Sequence, residues 1–360
     1  MAKQLSAQQE KLFQFLSRYS TGDSVEQAAI LDGTGWKKST METYERKNML
    51  DPFLANLGDE QYRILRDGSS LSKGDIASAF TQVRPGLLVL TKGMRIAGAK
   101  SQYELVKYLG EGAVAHVWEG RSATATAVAL KVMNPRPDLL EPTNLENVRA
   151  RFRREASNGL ALQHDHVVKY LDTGDVGQHP FIVMELAVST AAGHLTRQGP
   201  LSVTEAARVV RECCSGLLFL HGQGCVHRDI KPQNILIIGE RHVLGDLGIV
   251  RWSDMNPAFT SAATITRASM QLGSWYYMAP EQRRGPHEAS PKSDTYSLGI
   301  TWYELLSGRV PDPAEVGAKQ FAPPSSNAET NHMIASMVSF SPDERPTIAS
   351  IVAFLANQTP

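Results

Sequence analysis

The sequence predicts an α+β protein in which a β-rich unit is followed by a larger helical unit and preceded by a small, mainly helical module. The β-rich unit is indicated by alternating apolar and polar residues with glycine breaks, which begin near Tyr103 in YELVKYLGEGAVAHVWEGR and TATAVALKVM. The helical unit is indicated beyond Leu201, where helical segments alternate with loops rich in Gly, Pro and Ser. A β-rich unit followed by a helical one predicts two lobes.

Composition and charge narrow the class of protein. The chain has 360 residues, 42% of them hydrophobic and 21% charged, which is typical of a globular protein with two or three domains. Its formal net charge of +0 provides no overall field that would draw it to nucleic acid or to an anionic membrane. No apolar run approaches about 18 residues, and the first segment lacks the apolar stretch of a signal peptide. We therefore predict a cytoplasmic protein without a membrane partner.

The cysteines indicate a reducing environment. Cys213, Cys214 and Cys225 are odd in number and do not have the spacing of metal ligands. We expect buried, free thiols rather than disulfides.

Residues 1–95 are expected to form a separate module, joined through a linker at 96–102 to a large domain at 103–360. Helical periodicity in AQQEKLFQFLSRY is followed by two further helical segments, VEQAAILDGTG and KKSTMETYERKNML. A hairpin with Gly58-Asp59 as its turn comes next. This order resembles a winged helix-turn-helix, in which TGWKKST would contain the turn and the start of the recognition helix.

Two interpretations of this module remain open. Four basic residues could contact nucleic-acid phosphates, namely Lys37, Lys38, Arg46 and Lys47. Glu42 and Glu45 lie among them, so the predicted recognition helix is not strongly basic. The alternative is a helical adaptor that binds a regulatory partner and uses the same periodicity only to build its core.

A glycine turn opens the large domain. Gly110 and Gly112 lie between two predicted strands, where the backbone can approach phosphates and donate N–H groups. The following segment, HVWEGR, has the pattern of a strand, which disfavours a dinucleotide-binding loop because that loop precedes a helix. A plain hairpin turn would also explain the two glycines.

A lysine and a glutamate are the next candidates. Lys131 lies in the apolar strand AVALKVM, where a charge needs either a partner or access to solvent. Glu155 follows on a helix face shared with Phe152, Gly159 and Leu162, so we expect it to point inward. The two residues are natural ion-pair partners. The strand by itself also fits a lysine that reaches solvent at a sheet edge.

The segment HRDIKPQNILI, followed by LGDLGIV, contains the remaining candidate catalytic groups. Asp246 and the amide oxygen of Asn234 would give a pair of hard oxygen ligands for Mg²⁺. Asp229 would then be available to orient a hydroxyl group and to accept its proton. A solvated polar loop has a similar composition, so this assignment depends on the accompanying motifs.

Together and in order, these segments resemble the protein kinase family from about Tyr103 to Leu355, which implies a bilobal protein kinase fold. The resemblance implies that Lys131 holds the α- and β-phosphates of ATP and pairs with Glu155. It makes Asp229 the catalytic base and Lys231 the γ-phosphate contact that marks the serine/threonine type. Asn234 and Asp246 become the ligands of Mg²⁺, with Mn²⁺ as the alternative ion. The residues implied for nucleotide binding are Gly110, Gly112, Val117, Ala129, Lys131, Met184, Glu185, Ala187 and Leu236.

Three positions depart from the family pattern. Ala115 stands where the third glycine of the loop is usual, which predicts a stiffer loop. Leu247 replaces the phenylalanine of the DFG motif and leaves the metal-binding aspartate intact. Ser274 replaces a threonine in GSWYYMAPE, which still suits a serine/threonine kinase.

The resemblance also implies several supporting contacts. Glu281 is expected to pair with Arg345, and Asp294 to bind the backbone of the catalytic loop. Arg228 implies control by phosphorylation of the loop after Asp246. We predict autophosphorylation there, at Thr264 or Thr266. The segment after SGRVPDP is rich in Pro, Ala and Ser and predicts a reduced substrate-docking helix.

The expected function is therefore phosphoryl transfer from ATP to Ser and Thr hydroxyls of proteins, by a kinase of the bacterial-like branch. Lys131, Asp229 and Asp246, which inactive scaffolds of the family typically lose, are all present. The alternative is a regulator that binds DNA or a partner through residues 1–95 and is controlled by the kinase domain.

Overall fold

The protein is described here by a computed structural model. It describes residues 7–18, 24–34, 36–38, 41, 54–58, 61–64, 88, 90–112, 114–134, 142–247, 250–251, 274–285, 288–318 and 320–358. The chain divides into two compact units, Met1–Val89 and Leu90–Pro360.

The first unit combines two helices with a small antiparallel sheet. Its described elements are α1 (Ala7–Leu16), β1 (Ser24–Glu26), α2 (Gln27–Thr34), β2 (Leu54–Gly58) and β3 (Gln61–Ile64). The sheet has the order β1-β3-β2, so the predicted hairpin is formed and the strand before α2 pairs with its second arm.

The core of this unit is built from the apolar face of α1. Leu12, Phe15 and Leu16 are buried, together with Ile30 of α2. A Cβ atom at Gly33 would lie 2.3 Å from the Phe15 ring, so only glycine lets α2 approach this closely.

Two sequence predictions for this unit need comment. Val25 and Glu26, predicted within the second helix, form part of β1, since residues 24–26 pair with 61–63. Most of the predicted third helix, and with it Arg46 and Lys47, lies outside the described residues.

A six-stranded antiparallel sheet forms the first lobe of the second unit. Its strands are β4 (Arg95–Ala97), β5 (Gln102–Glu111), β6 (Ala115–Ser122), β7 (Ala127–Met133), β8 (Tyr170–Val176) and β9 (His179–Glu185), in the order β4-β5-β6-β7-β9-β8. The helix α3 (Pro142–Leu160) lies between β7 and β8 in the chain and packs on β8 and β9. Residues 96–102, which we expected to link two domains, contain the end of β4 and the turn into β5.

The second lobe is mainly helical, as predicted. Its elements are β10 (Ser189–Thr190), α4 (Ala191–Gln198), α5 (Val203–Gly222), β11 (Cys225–Val226), β12 (Ile235–Ile238), β13 (Arg241–Leu244), β14 (Val250–Arg251), α6 (Pro280–Arg284), α7 (Pro291–Ser307), α8 (Pro313–Gly317), α9 (Ala328–Met337) and α10 (Ile348–Asn357). Single 3₁₀ turns lie at Pro232–Asn234, Ser274–Tyr277 and Pro342–Glu344.

Helix α7 runs through the centre of this lobe. It begins at the cap residue Ser290, whose hydroxyl accepts from Lys292 N, and ends at Gly308 with a left-handed φ of 74°. Apolar residues such as Leu298, Trp302 and Leu305 are buried along it. A helix that is buried nearly all round is a rigid base for the loops that cross it.

Three further expectations can be compared with the fold. Cys213, Cys214 and Cys225 are buried free thiols, as predicted. The segment expected to hold a reduced docking helix contains α8, which has only five residues. Among the described residues, every helix is too short or too polar to span a bilayer.

Candidate active site

The glycine turn connects β5 and β6 and leaves space beside its backbone. Gly110 pairs with Val117, and Gly112 donates its N–H to Ala115 O at 2.8 Å. A Cβ atom at Gly110 would find no heavy atom of the described residues within 4 Å, which leaves room for a ligand beside the backbone. Ala115, which departs from the family pattern, is only 4% exposed and packs into the core.

Lys131 joins the two lobes through charge. It lies in the middle of β7, and its Nζ is 2.9 Å from Glu155 Oε1 on α3 and 2.5 Å from Asp246 Oδ1. The side chains of Lys131 and Glu155 are only 12% and 14% exposed. Burial opposes the charge on Lys131, but Asp246 and Glu155 outweigh it and raise the pKa of the lysine. The predicted ion pair is thus formed, and Asp246 is added to it.

The residues implied for adenine binding lie on neighbouring strands of the sheet and on β12 of the helical lobe. Ala129 on β7 pairs with Met184 on β9, and Val117 on β6 pairs with Lys131. In the other lobe, Leu236 lies on β12 and packs closely against Gly245. A Cβ atom at Gly245 would be 2.6 Å from Leu236 Cδ1.

The last residue of β9 is Glu185, and the connection that follows contains Ala187. The Glu185 backbone N–H donates to Lys169 O at 3.2 Å, and its side chain lies 3.5 Å from Arg241. The side chain of Glu185 is therefore engaged in an ion pair. The candidates for hydrogen bonds to adenine in this segment are its backbone groups.

The catalytic-loop candidates converge on one carboxylate. Lys231 Nζ lies 2.7 Å from Asp229 Oδ2. The side-chain amide of Asn234 donates to both Asp229 O and Asp229 Oδ2 at 2.8 Å. Because these contacts use the nitrogen of Asn234, its carboxamide oxygen, the atom that would bind a metal, takes no part in them. The 3₁₀ turn Pro232–Asn234 brings Asn234 back toward Asp229.

A buried aspartate of α7 holds this loop from below. Asp294 is fully buried and accepts from the backbone N–H groups of His227 at 2.9 Å and Arg228 at 2.8 Å. His221 contacts the same carboxylate at 2.8 Å. The predicted tie between Asp294 and the catalytic loop is confirmed. Arg228 adopts a left-handed φ of 72°, a strained value for a residue other than glycine, and these hydrogen bonds help to hold it.

The metal-ligand candidate Asp246 lies across from this loop. Its side chain is 50% exposed and its φ is 53°, again in the left-handed region. The ammonium of Lys131 lowers the pKa of Asp246, so the carboxylate is ionised at neutral pH. The next residue, Leu247, is fully buried, which confirms that leucine fills a packing position here. His227 contacts Gly245 O at 3.0 Å and so links the strand end before Asp246 to the catalytic loop.

The donor set fits a magnesium ion brought in with a nucleotide. The described residues contain no group of three or more His, Cys, Asp or Glu side chains able to hold a metal ion. Mg²⁺ is usually bound through one or two carboxylates together with water and substrate phosphates, rather than by a complete protein cage. One carboxylate, Asp246, and one carboxamide, Asn234, meet that requirement.

A second ion pair lies deep in the helical lobe. Arg345 contacts Glu281 through two parallel bonds, of 2.7 Å to Oε1 and 2.9 Å to Oε2. Ser293 Oγ donates to the same Oε1 at 2.7 Å. The predicted pair is confirmed, and the side chains of Arg345 and Glu281 are only 0% and 4% exposed.

Sequence reasoning missed Tyr170, the first residue of β8. Its hydroxyl donates to Glu155 Oε1 at 2.9 Å, beside the Lys131 contact. The segment HDHVVKYLD has no feature that separates this tyrosine from an ordinary strand residue. Only the packing of β8 against α3 brings it to the ion pair.

Comparison with known proteins agrees with this geometry. Residues 103–354 match the model of the protein kinase domain. The chain therefore belongs to the protein kinase family, and the family implies the use of ATP and a divalent metal ion and the phosphorylation of proteins.

Curated relatives refine the comparison. The chain is 37% identical to a probable serine/threonine-protein kinase pknA2 of Bifidobacterium longum, over 59% of this chain and 27% of that protein. It is 35% identical to the serine/threonine-protein kinase PrkC of Bacillus subtilis, over 61% of this chain and 32% of that protein. It is 37% identical to PknL of Mycobacterium tuberculosis, over 59% of this chain and 50% of that protein. The chain thus spans between about a quarter and a half of the length of these relatives.

Proposed function

We propose that this protein transfers the γ-phosphoryl group of ATP to Ser and Thr hydroxyls of proteins, including its own. The observation that carries the proposal is the position of Lys131, whose ammonium lies between Glu155 and Asp246. The relatives described as serine/threonine-protein kinases support the acceptor class, as does Lys231 beside Asp229.

Each candidate residue has its own role in nucleotide binding. Lys131 binds the α- and β-phosphates, and the backbone at Gly110 and Gly112 covers them. Asn234 and Asp246 hold Mg²⁺, with Mn²⁺ as the alternative ion. The adenine base lies against the six-stranded sheet. It contacts the side chains of Val117, Ala129, Met184 and Leu236 and the backbone of Glu185 and Ala187.

Mg·ATP supplies the phosphoryl group when bound. Asp229 orients the acceptor hydroxyl and accepts its proton. The hydroxyl oxygen forms a bond to the γ-phosphorus, and the bond between the γ-phosphorus and the oxygen that bridges to the β-phosphate breaks, which releases ADP. Lys231, 2.7 Å from Asp229, is placed to neutralise charge that develops on the transferring group. Most of the rate enhancement comes from this positioning of charge.

The test is the substitution Asp229→Ala in the purified full-length protein. We expect transfer of labelled phosphate to fall by about 10²–10⁴-fold, the usual contribution of a positioned acid or base. Asp343→Ala, which changes an exposed aspartate in a 3₁₀ turn, serves as the control and should keep full activity. Undiminished incorporation in the Asp229→Ala protein would refute the assignment.

Self-phosphorylation is proposed at Thr264 or Thr266, which lie outside the described residues. Support comes from two arginines near the catalytic loop. Burial lowers the pKa of Arg228, the negative charge of Asp294 opposes this, and the positive charge of Arg151 adds a smaller lowering, so the two arginines are close enough to repel each other weakly. A phosphate near them would relieve that repulsion. Intact mass after incubation with ATP, compared with the Asp229→Ala protein, tests for the added phosphate, and peptide mapping locates it.

We also propose a second function, for the first unit. The order of α1, β1, α2 and the β2–β3 hairpin, with the pairing β1-β3-β2, suits a winged helix-turn-helix that binds DNA or a regulatory partner. The family match begins at residue 103 and supports no function for this unit. A gel-shift assay with random-sequence duplex DNA at increasing salt would compare the full-length protein with its Lys37→Ala, Lys38→Ala variant. Equal, weak binding by both would exclude a DNA-binding role for these lysines.

A further inference from the structure

The carboxylate that orients Lys131 has a second donor. Glu155 Oε1 lies 2.9 Å from Lys131 Nζ and 2.9 Å from the hydroxyl of Tyr170. Tyr170 is 2% exposed, so this hydrogen bond is shielded from water. Burial, followed by the negative charges of Glu155 and Asp246, raises the pKa of Tyr170 well above its ordinary value. The hydroxyl therefore keeps its proton and remains a donor.

The ring of Tyr170 fits a gap in α3. Gly159 lies one helical turn after Glu155, so both residues are on the same face of the helix. A Cβ atom at Gly159 would lie 2.2 Å from Tyr170 Cδ2 and 2.4 Å from Cε2. Glycine inside a helix costs about 1 kcal/mol relative to alanine. Here the absence of a side chain at Gly159 lets the Tyr170 ring pack against the helix backbone, directly beside the Lys131–Glu155 pair.

The hydroxyl also lies close to the other lobe. The backbone of Leu247, the residue after Asp246, opposes part of the rise in the pKa of Tyr170, which indicates that it lies close to the hydroxyl. Leu247 is itself fully buried. The phenol group of Tyr170 therefore lies between α3 and the segment that follows Asp246.

The strand that carries Tyr170 is fixed independently. Asp172, two residues later, is 1% exposed and accepts from the backbone N–H groups of Lys100 at 2.9 Å and Ser101 at 3.2 Å. The hydroxyl of Tyr103 donates to the same oxygen at 2.9 Å. The strand is anchored to the segment before β5 and cannot shift easily, so Tyr170 is presented from a rigid base.

We propose that Tyr170, admitted by Gly159, is a positioning residue for phosphoryl transfer. Its hydroxyl holds Glu155 in the orientation that directs Lys131 to the phosphates, and Lys131 links that orientation to Asp246, 2.5 Å away. The proposal rests on the proposed kinase activity. The two residues act jointly, because a side chain larger than hydrogen at 159 excludes the ring and a residue other than tyrosine at 170 loses the hydrogen bond.

The experiment compares two Tyr→Phe substitutions in the full-length protein. Tyr170→Phe removes the hydroxyl beside Glu155, while Tyr103→Phe removes a hydroxyl with an equal 2.9 Å bond to the buried Asp172, away from Lys131. We expect both to lower the unfolding temperature by similar amounts. Tyr103→Phe leaves Asp172 its bonds from the backbone N–H groups of Lys100 and Ser101, so the strand of Tyr170 stays anchored. Only Tyr170→Phe should lower kcat, by about tenfold or more, because a hydrogen bond to a charged group is lost at the site. The KM for the protein substrate should stay unchanged in both variants.

The substitution Gly159→Ala tests the same contact from the helix side. The added methyl group must displace the Tyr170 ring, so we expect a loss in kcat similar to that of Tyr170→Phe. In the double variant Gly159→Ala, Tyr170→Phe, the losses should not add, because both changes break the same hydrogen bond. Additive losses would contradict the proposal, and so would equal kcat values for Tyr170→Phe and Tyr103→Phe.

A wild-type protein that transfers no phosphate would refute the proposed function and still leave the contact testable. Unfolding temperatures then decide, with Tyr170→Phe introduced into the wild-type protein and into a Glu155→Ala background. A clearly smaller shift in the Glu155→Ala background supports the coupling of Tyr170 to Glu155, whereas equal shifts overturn it.

Discussion

Two ion-pair networks among the described residues, one around Lys131 and one around Arg345, differ in how completely their N–H donors are used. Arg345 in the helical lobe has five N–H bonds, and these are matched by Ser339 O, Phe340 O, Lys292 O and both oxygens of Glu281. Lys131 in the sheet lobe has three N–H bonds, and the contacts in the described part of the chain account for two.

The partners differ in exposure as well. Glu281 is enclosed, with a side chain only 4% exposed, and Arg345 also stacks 5.0 Å from the ring centroid of Tyr296. Asp246, which completes the Lys131 network, is 50% exposed. A saturated, enclosed network has one arrangement and contributes to the integrity of the lobe. A network that is open on one side keeps charge available for a ligand, which is what a phosphate site requires.

The largest expected effect comes from breaking the closed network. Arg345→Ala leaves Glu281 charged, buried and without its partner, and should lower the free energy of unfolding by about 3–5 kcal/mol. Denaturant titration followed by circular dichroism measures this. Arg309→Ala is the matched control, since Arg309 also lies over a tyrosine ring, 5.7 Å from the centroid of Tyr303, but is exposed. If Arg309→Ala lowered the free energy of unfolding as much as Arg345→Ala, burial of the arginine would not explain the effect.

Breaking the open network should affect activity more than stability. Lys131→Met removes the charge aimed at the phosphates and should lower phosphoryl transfer by about 10²–10³-fold. Its free energy of unfolding should fall less than that of Arg345→Ala, because Glu155 keeps its bond to Tyr170 and Asp246 reaches solvent. Both quantities can be measured on the same preparation. Arg153→Ala, which breaks the exposed Arg153–Asp175 pair on α3, should change neither much.

The smallest expected effect is a change in acid stability. Burial raises the pKa of Glu281, but hydrogen bonds from Arg345 and Ser293 outweigh burial and lower it. A lowered folded-state pKa stabilises the protein above the unfolded pKa of about 4.3, and the contribution is lost as pH falls through the folded value. Glu281→Gln removes this titration, so its free energy of unfolding should decline less steeply below about pH 4.3 than that of the wild type. Denaturant titrations at several pH values measure this. Equal slopes of the free energy of unfolding against pH for Glu281→Gln and the wild type, below about pH 4.3, would contradict it.

The charged partners of the two networks could be predicted on different grounds, from local sequence for one and from the family resemblance for the other. A lysine in an apolar strand and an inward glutamate predict a pair, and a kinase-like order of motifs implies Glu281 with Arg345 and Asp294 beneath the catalytic loop. These contacts are present. The assignment of Asp229, Asn234 and Asp246 to catalysis and metal binding remains a prediction that the geometry supports.

Neutral and local features could not be predicted in the same way. Tyr170 and Gly159 are ordinary residue types in ordinary elements, and their contact arises only where β8 crosses α3. Residues 95–97 were not expected to extend the sheet, because a three-residue edge strand carries too little pattern to be recognised. The short strand β1 was missed for the same reason.

The sequence by itself determined the identity of the catalytic candidates, since charged side chains in apolar surroundings are rare and their order along the chain is informative. Only the tertiary structure decided how those charges are held. It showed that Glu155 has two donors, that Lys131 bridges two carboxylates, and that Asp172 anchors the strand of Tyr170 to the segment before β5. The physical reason is that the presence of a charge is a property of one residue, whereas its orientation depends on neighbours brought together by packing.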